Sequence, residues 1–567
     1  MSLLMNKIKK YWFVTILFLL SAFRMFLAVN TNYAVTTGKF DDELAIHLGY
    51  SLLSGEWLGD YSYSTLIKGI TYPCYVALIK LVGLTYGQGL GILMIGASLV
   101  FIRMLYKFNT NRCFLLVAYA FILYNPGGFG GWTALHIYRD VMTMWLLLIL
   151  FSCVIAIFAN RKLAWKESYG WIAGAFISFV LFYYLREDCI WIYPFVFAAF
   201  LICALSHYFS PGEFFEKGYV TRIIKTMVFT FLPWIGVGIV GLGIATANYH
   251  NYGIFCVNDR TQGPFAEMME LIYRVEDDST DEHIWVTKDM LWKCIDASPT
   301  LSGMRNAIEA GFNSRALDDG QVHGDIVQWA VRVGFHNAGY YTDAKETQNM
   351  IHKVVEELQA AYDKGILIED NKLHLSAQGR GMTFLEIFGY IPDAVWNFYE
   401  LSDYNGCSSY YPYYPTTDEE LTGKFEIMLS TPLSQSYIDN NLFVFTEQIY
   451  SFILRVYQRI GKLALKCSCL FFCILSVYEI VQYRKQKKAS KELEMIVPLC
   501  GLMLSGFLLI YVITVFTSFL SIYNFYNYTT GYYTIVSIFE VFVASYILKL
   551  LKKYLCTFAP DLGNGSK

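Results

Sequence analysis

Apolar stretches long enough to cross a bilayer recur along these 567 residues, and lysine and arginine gather at alternate gaps between them. A helix in lipid must satisfy its own backbone, so a chain of this kind has little choice but a bundle of antiparallel helices. The first stretch, residues 11–29, follows Lys7, Lys9 and Lys10. Its length, its internal Arg24 and the lack of a small-x-small cleavage site mark a retained anchor. Further basic clusters stand at Arg103, Lys107 and Arg112; at Arg161, Lys162 and Lys166; at Lys217, Arg222 and Lys225; at 484–491; and at Lys549, Lys552 and Lys553. Holding all of them in the cytoplasm predicts ten spans, near 11–29, 88–106, 113–126, 141–159, 170–186, 189–207, 226–247, 467–483, 495–518 and 532–550, with both termini inside. Residues 70–86 carry Pro73 and Lys80 and read as an interfacial or re-entrant helix. The span at 113–126 is short, and the run Gly127, Gly128, Gly130, Gly131 after it predicts irregular backbone lining a cavity.

The formal charge of −3 conceals a partition. Residues 248–450 hold 31 acids against 13 bases, and the rest of the chain 16 against 31. The acidic block lacks a long apolar run, so it is expected to be a mainly helical, water-facing domain large enough to bury its own core. The expected division is 1–247, with a first outer loop at 30–87; the extracytoplasmic block 248–450; and 451–567, an interfacial helix followed by three spans. With 55% hydrophobic residues the whole is an α-helical polytopic membrane protein rather than a soluble enzyme. Of 13 cysteines, Cys467, Cys469 and Cys473 fall in one apolar span, and none has zinc spacing. The outer block holds Cys256, Cys294 and Cys407, which leaves room for one disulfide and no scaffold. His323, His336 and His352 lack metal-ligand spacing. Phosphate-loop, hydrolase-elbow, zinc-protease and dinucleotide fingerprints are absent, and nothing points to nucleic acid.

The threading collects Asp41, Asp42, Glu43, Lys68, Arg139, Asp140, Arg186, Glu187 and Asp188 on the outer side. Charges of both signs on separate span ends read as a functional site. Asp41 and Asp42 open an amphipathic helix over 42–56, so they either cap it and complement its dipole or serve as a general base just above the bilayer. Lys68, Arg139 and Arg186 either snorkel and pair with acids or hold a lipid phosphate and steady it as it leaves. Arg455, Arg459, Lys462 and Lys466 make one basic face on an interfacial helix over 442–466, suited to anionic head groups or to snorkelling. The Tyr/Pro-rich loop at 404–415 is either a plain loop or a sugar contact.

The order of these elements is similar to the GT-C glycosyltransferases, in particular the bacterial relatives of protein O-mannosyltransferases and of the lipid A aminoarabinose transferase. The resemblance rests on the outer acidic pair; on the helix ending Leu53-Ser54-Gly55-Glu56-Trp57-Leu58-Gly59-Asp60-Tyr61; on Thr65-Leu66-Ile67-Lys68-Gly69 and Tyr72-Pro73; on Arg139-Asp140 heading a span; and on Leu185-Arg186-Glu187-Asp188 ending one. It covers residues 1–247. It implies a bacterial plasma-membrane enzyme of the cell envelope that moves a sugar, with inversion, from a polyprenyl-phosphate donor to a cell-surface polymer, lipid or protein. The catalytic carboxylate maps to Asp41 or Asp42, and the donor-phosphate cations to Lys68, Arg139 and Arg186. Glu43, Asp140, Glu187 and Asp188 take supporting or acceptor roles. Some members use a divalent metal and the nearest relatives do not, so no metal or other cofactor is expected. The rival readings are a flippase of lipid-linked sugars, which would need ionisable groups at mid-membrane, and a membrane-anchored binding protein.

Overall fold

The computed structural model describes residues 2–35, 41–130, 135–163, 165–186, 189–209, 219–277, 279, 281–374, 379–410, 418–433, 440–487, 490–518 and 525–558. Among them the secondary structure is helical, with three isolated β-bridges and no strand. The chain is a polytopic helical membrane protein. Seven described helices are long and apolar enough to cross a bilayer: Tyr11–Val29, Tyr86–Leu105, Arg139–Ala159, Ile223–Tyr252, Asn441–Gln486, Glu492–Ser518 and Thr530–Lys552. The other three expected spans are the shorter helices Arg112–Leu123, Tyr169–Tyr183 and Tyr193–Phe209. At about 1.5 Å per residue these cover less than the roughly 30 Å of a hydrocarbon core. Irregular turns lengthen two of them, Pro126–Gly128 after the first and Cys189–Ile192 before the third.

Contacts at the helix ends sort into two faces. On one, a Cβ on Gly87 would stand 2.3 Å from the Ala28 carbonyl oxygen, and the Thr71 N–H donates to the Tyr184 carbonyl at 3.1 Å. On the other, Lys107 reaches Asn160, Lys162 reaches Glu494 and Lys549 reaches Glu492. Successive spans therefore run in alternate directions. The helix Thr71–Leu81 starts beside Tyr184 and hands over to Tyr86 beside Ala28, so it returns to the face it left without crossing. That first face carries the candidate site and is called the site face below.

Two expectations need revision. The described glycines of the 127–131 run line no cavity. A Cβ would meet the Tyr533 ring from Gly127 at 2.5 Å, the Trp145 ring from Gly128 at 2.2 Å and the Cys407 side chain from Gly130 at 2.7 Å. Glycine stands there because other elements close directly onto the backbone; Gly131 lies outside the described residues. Residues 442–466 and 467–483 are not two elements but one helix, Asn441–Gln486. It exposes apolar residues from Leu442 to Val481. Within it Lys462 is committed to Glu400 at 2.8 Å and Asp403 at 2.7 Å, so its charge is answered inside the protein. Arg24, buried in the first span, is also held internally: it donates to the Tyr450 hydroxyl at 2.7 Å and lies against the Phe129 and Tyr450 rings.

The acidic block builds its own core from Pro264–Tyr273, Lys288–Ala297, Arg305–Asn313, Ile326–Asn337 and Ala344–Asp363, closed around Met268, Phe312, Phe335, Val354 and Leu358. Tyr61 and Tyr63 of the first loop pack against that core. A smaller cluster joins Leu44, Leu48, Leu66 and Ile67 of the loop to Trp329 of the block. The block therefore sits on the first loop. Cys256, Cys294 and Cys407 all carry free thiols.

Gly69 sets the loop's height above the bundle. A Cβ there would stand 2.3 Å from the Tyr184 carbonyl oxygen, a backbone atom that cannot turn aside. Gly69→Ala is predicted to lift the loop and cost about 1–3 kcal/mol, as forced overpacking does. The readout is a lower thermal-denaturation midpoint in detergent; an unchanged midpoint would mean the loop does not rest on the bundle here.

Candidate functional site

Two backbone hydrogen bonds begin the site. Ala34 N–H donates to the Leu135 carbonyl at 2.8 Å, and Ile137 N–H to the Ala34 carbonyl at 3.1 Å. This short parallel bridge brings the end of the first span beside the turn that leads into Arg139–Ala159. Asp41 follows as the residue before the helix Asp42–Ser54. Its carbonyl accepts from Ala45, but its side chain makes no capping hydrogen bond. The capping role is thus unfilled by the carboxylate, which turns to other partners.

Those partners are cationic and phenolic. Lys68 Nζ donates to Asp41 Oδ1 at 2.8 Å, and the Tyr138 hydroxyl donates to the same oxygen at 3.0 Å. Half of the Asp41 side-chain surface is open (52%), while Lys68 beneath it is 10% exposed. The open half does not make the site shallow, because protein surrounds the carboxylate on its other sides. Burial there would raise the Asp41 carboxyl, but the Lys68 ammonium and its hydrogen bond, then Arg139 and Tyr138, outweigh it and hold the group down at about 2. Lys68 itself lies near the rings of Tyr138 at 5.8 Å and Trp329 at 6.0 Å. The second of these belongs to the acidic block, so the block reaches into the site.

Asp42 has a different environment. Its side chain is fully buried, and its Oδ2 lies 3.1 Å from His136 Nε2. The His136 ring in turn lies against Tyr138, with centroids 5.6 Å apart. Arg139 is buried below, its guanidinium donating to the Leu185 carbonyl at 3.3 Å and lying 5.2 Å from the centre of the Tyr138 ring. Asp140 and Arg186 form a buried ion pair that ties the head of one span to the end of another. The Arg186 guanidinium also lies 4.7 Å from the Tyr528 ring centre, beside the last span.

Asp41, Asp42, Lys68, Arg139, Asp140 and Arg186 therefore converge as the charge threading predicted, though on two levels. Asp41 is half-open to solvent, with Lys68 largely covered beneath it. Arg139 lies beneath, and the Asp140–Arg186 pair closes the floor. Glu43 stands apart from this group, its charge acting on Lys424. Glu187 and Asp188 lie outside the described residues. His136 and Tyr138 escaped the sequence reading; the available signal was their place in the same turn as Arg139. In the Tyr/Pro loop Tyr404 is buried, stacked on Tyr533 at 4.8 Å and hydrogen-bonded to Asn125, whereas the Tyr410 ring is exposed; residues 411–417 lie outside the described residues. His336 packs on Tyr63, and His323 and His352 pair with nearby acids.

No protein-family model matches the chain, and no curated protein matches it. Among solved structures, the crystal structure of ArnT from Cupriavidus metallidurans in the apo state aligns over 94% of this chain and 78% of that one, at 11% sequence identity and a TM-score of 0.27. So loose a superposition carries no argument about this chain.

Proposed function

We propose that the chain is a membrane glycosyltransferase of the GT-C type, which moves a sugar from a polyprenyl-phosphate donor to an acceptor on the extracytoplasmic face. The observation that carries this reading is the Asp41 carboxylate. It is half-open to solvent, makes no cap, and is paired with a cation seated at the head of the membrane bundle. A carboxylate so placed meets a hydroxyl or amine from the water side and a lipid phosphate from the membrane side.

In this mechanism the acceptor oxygen or nitrogen attacks the anomeric carbon and its proton passes to Asp41. The bond from that carbon to the phosphate oxygen breaks on the opposite face, and the configuration inverts. The departing polyprenyl phosphate gains negative charge, which Lys68 meets directly and Arg139 meets through its field. Asp42 positions His136 and through it the Tyr138 ring, rather than taking the proton, because its side chain is wholly buried. Arg186, bound to Asp140, fixes the floor of the site.

The resting Lys68–Asp41 pair also gives the donor a switch to throw. A donor phosphate competes with Asp41 for the Lys68 ammonium. Once that ammonium turns away, the carboxyl rises from about 2 toward its ordinary range and becomes a better base. Donor binding and base activation are then one event. The test is to incubate the purified protein in lipid nanodiscs with a panel of polyprenyl-phosphate sugars and follow free polyprenyl phosphate. Consumption of one donor is expected, and Lys68→Met is expected to raise KM for it by about tenfold or more, as loss of a charge-assisted phosphate contact does. Donor use by Lys68→Met at the parent KM would sink the phosphate assignment.

A further inference from the structure

The acidic block carries one apolar patch that water does not suit. In the short helices Phe384–Gly389 and Ile391–Glu400, the side chains of Phe384, Leu385, Phe388, Ile391, Val395 and Trp396 are exposed, Leu385 by 85%. They recur at helical spacing on one face of each helix. So dense an exposed group marks an interaction surface.

The opposite side of the same pair faces the bundle. Ala394 is fully buried. Asn397 donates to Thr514 at 3.0 Å, the Tyr511 hydroxyl donates to the Ile387 carbonyl at 2.5 Å, and Phe398 packs edge-on against Tyr532 with centroids 4.9 Å apart. Phe398 also lies close to Gly506, well inside the span Glu492–Ser518. At the end of the second helix the Ser402 carbonyl occupies the space of a Cβ on Gly461, in the long helix Asn441–Gln486. The second helix is thus wedged between two spans, while Ile387 and Tyr390 at the head of the pair pack on the core of the outer domain. The span Glu492–Ser518 against which the second helix packs has exposed apolar residues of its own at Val497 and Leu504.

We propose that residues 384–396 are a membrane-embedded hairpin whose apolar face lies among the acyl chains of the site-face leaflet. The charges of the segment fit this placement. Glu386 caps the first helix and pairs with Arg380, and Glu400 pairs with Lys462. Asp393 stands in the first turn of the second helix, where the helix dipole favours it. Lys466 lies 4.8 Å from the Tyr399 ring centre, so its charge is met by an aromatic face of the same segment. The block 248–450 is then not wholly water-facing: its last third dips into the lipid and moors the domain over the site.

Photolabelling tests the assignment on the intact protein in nanodiscs of phosphatidylcholine and phosphatidylglycerol, with a phospholipid bearing a diazirine in its acyl chain. Adducts are expected on peptides covering 384–396 as well as on those covering 497–504. In the double variant L385E/F388E the hairpin adducts are expected to be lost while those at 497–504 persist. Adducts at 497–504 with none at 384–396 in the parent protein would overturn the proposal. So would chemical crosslinks joining 384–396 of two copies, because the occupant would then be a second chain. Neither readout depends on glycosyl transfer, so the hairpin stands or falls apart from the proposed activity.

Discussion

Asp41→Asn is expected to lower the turnover of sugar transfer by about 10²–10⁴-fold, the usual worth of a positioned general base. The amide keeps the shape of the carboxylate and can still accept from Tyr138, but it takes no proton. Donor affinity should hold or improve, since Lys68 loses the partner with which a donor phosphate competes. The signature is therefore a collapse in kcat with KM level or lower, which a merely misfolded site does not give. Asp42→Asn should behave otherwise. Its carboxylate is buried against His136, so the loss should appear in folding stability and in the placement of Tyr138, with partial turnover retained. An Asp41→Asn protein that transfers sugar at the parental rate would dispose of the base assignment. The pH profile gives a second reading. Asp41 is depressed from 3.8 to about 2, so the stability its pairing confers is present above the ordinary carboxylate range and lost as pH falls through about 2. The acid limb of kcat/KM reports the free enzyme and should lie lowest. The limb of kcat reports the donor complex, in which Lys68 has turned to the phosphate, and should lie higher.

Much of the site was legible because charge near span ends is a one-dimensional signal. Once the basic clusters set the direction of each span, Asp41, Lys68, Arg139 and Arg186 had to share a face, whatever the packing between the helices. Which carboxylate is open was not legible. Asp41 and Asp42 are neighbours on the chain, and only tertiary contacts separate them, Lys68 and Tyr138 for the half-open Asp41 and His136 for the buried Asp42. His136 and Tyr138 share a turn with Arg139, but neutral aromatics beside a span are common in membrane proteins, so that place alone did not single them out. The glycine run misled for a related reason. Glycine is used both where backbone lines a space and where another element closes onto it, and composition does not separate the two. The hairpin at 384–396 escaped because its apolar residues fall in two short helices around Tyr390, too short for either to register as a span.

Arg332→Met is expected to destabilise the outer domain by about 3–5 kcal/mol, the cost of stranding a buried charge. Arg332 and Asp259 are both almost wholly buried, joined at 2.9 and 3.2 Å. The guanidinium also donates to the Tyr63 carbonyl at 3.3 Å and lies 3.8 Å from the Phe265 ring centre. The Asp259 N–H donates to the Leu66 carbonyl at 3.0 Å. One ion pair therefore fastens the domain to the loop that carries Lys68, two residues on from Leu66. Removing only the cation leaves the carboxylate in a dry interior. Burial already raises the Asp259 carboxyl despite the arginine, and without it the group rises further. A carboxyl raised in the folded state is a penalty at neutral pH that protonation relieves. The deficit of Arg332→Met should accordingly shrink as pH is lowered, and the double variant with Asp259→Asn should regain part of it at neutral pH. Thermal denaturation in detergent across pH measures both effects, and hydrogen exchange over residues 61–68 should rise in the single variant. Equal stability of the single and double variants at all pH values would show that the pair is not what holds the loop, and that the domain rests instead on the apolar contacts of Tyr61 and Trp329.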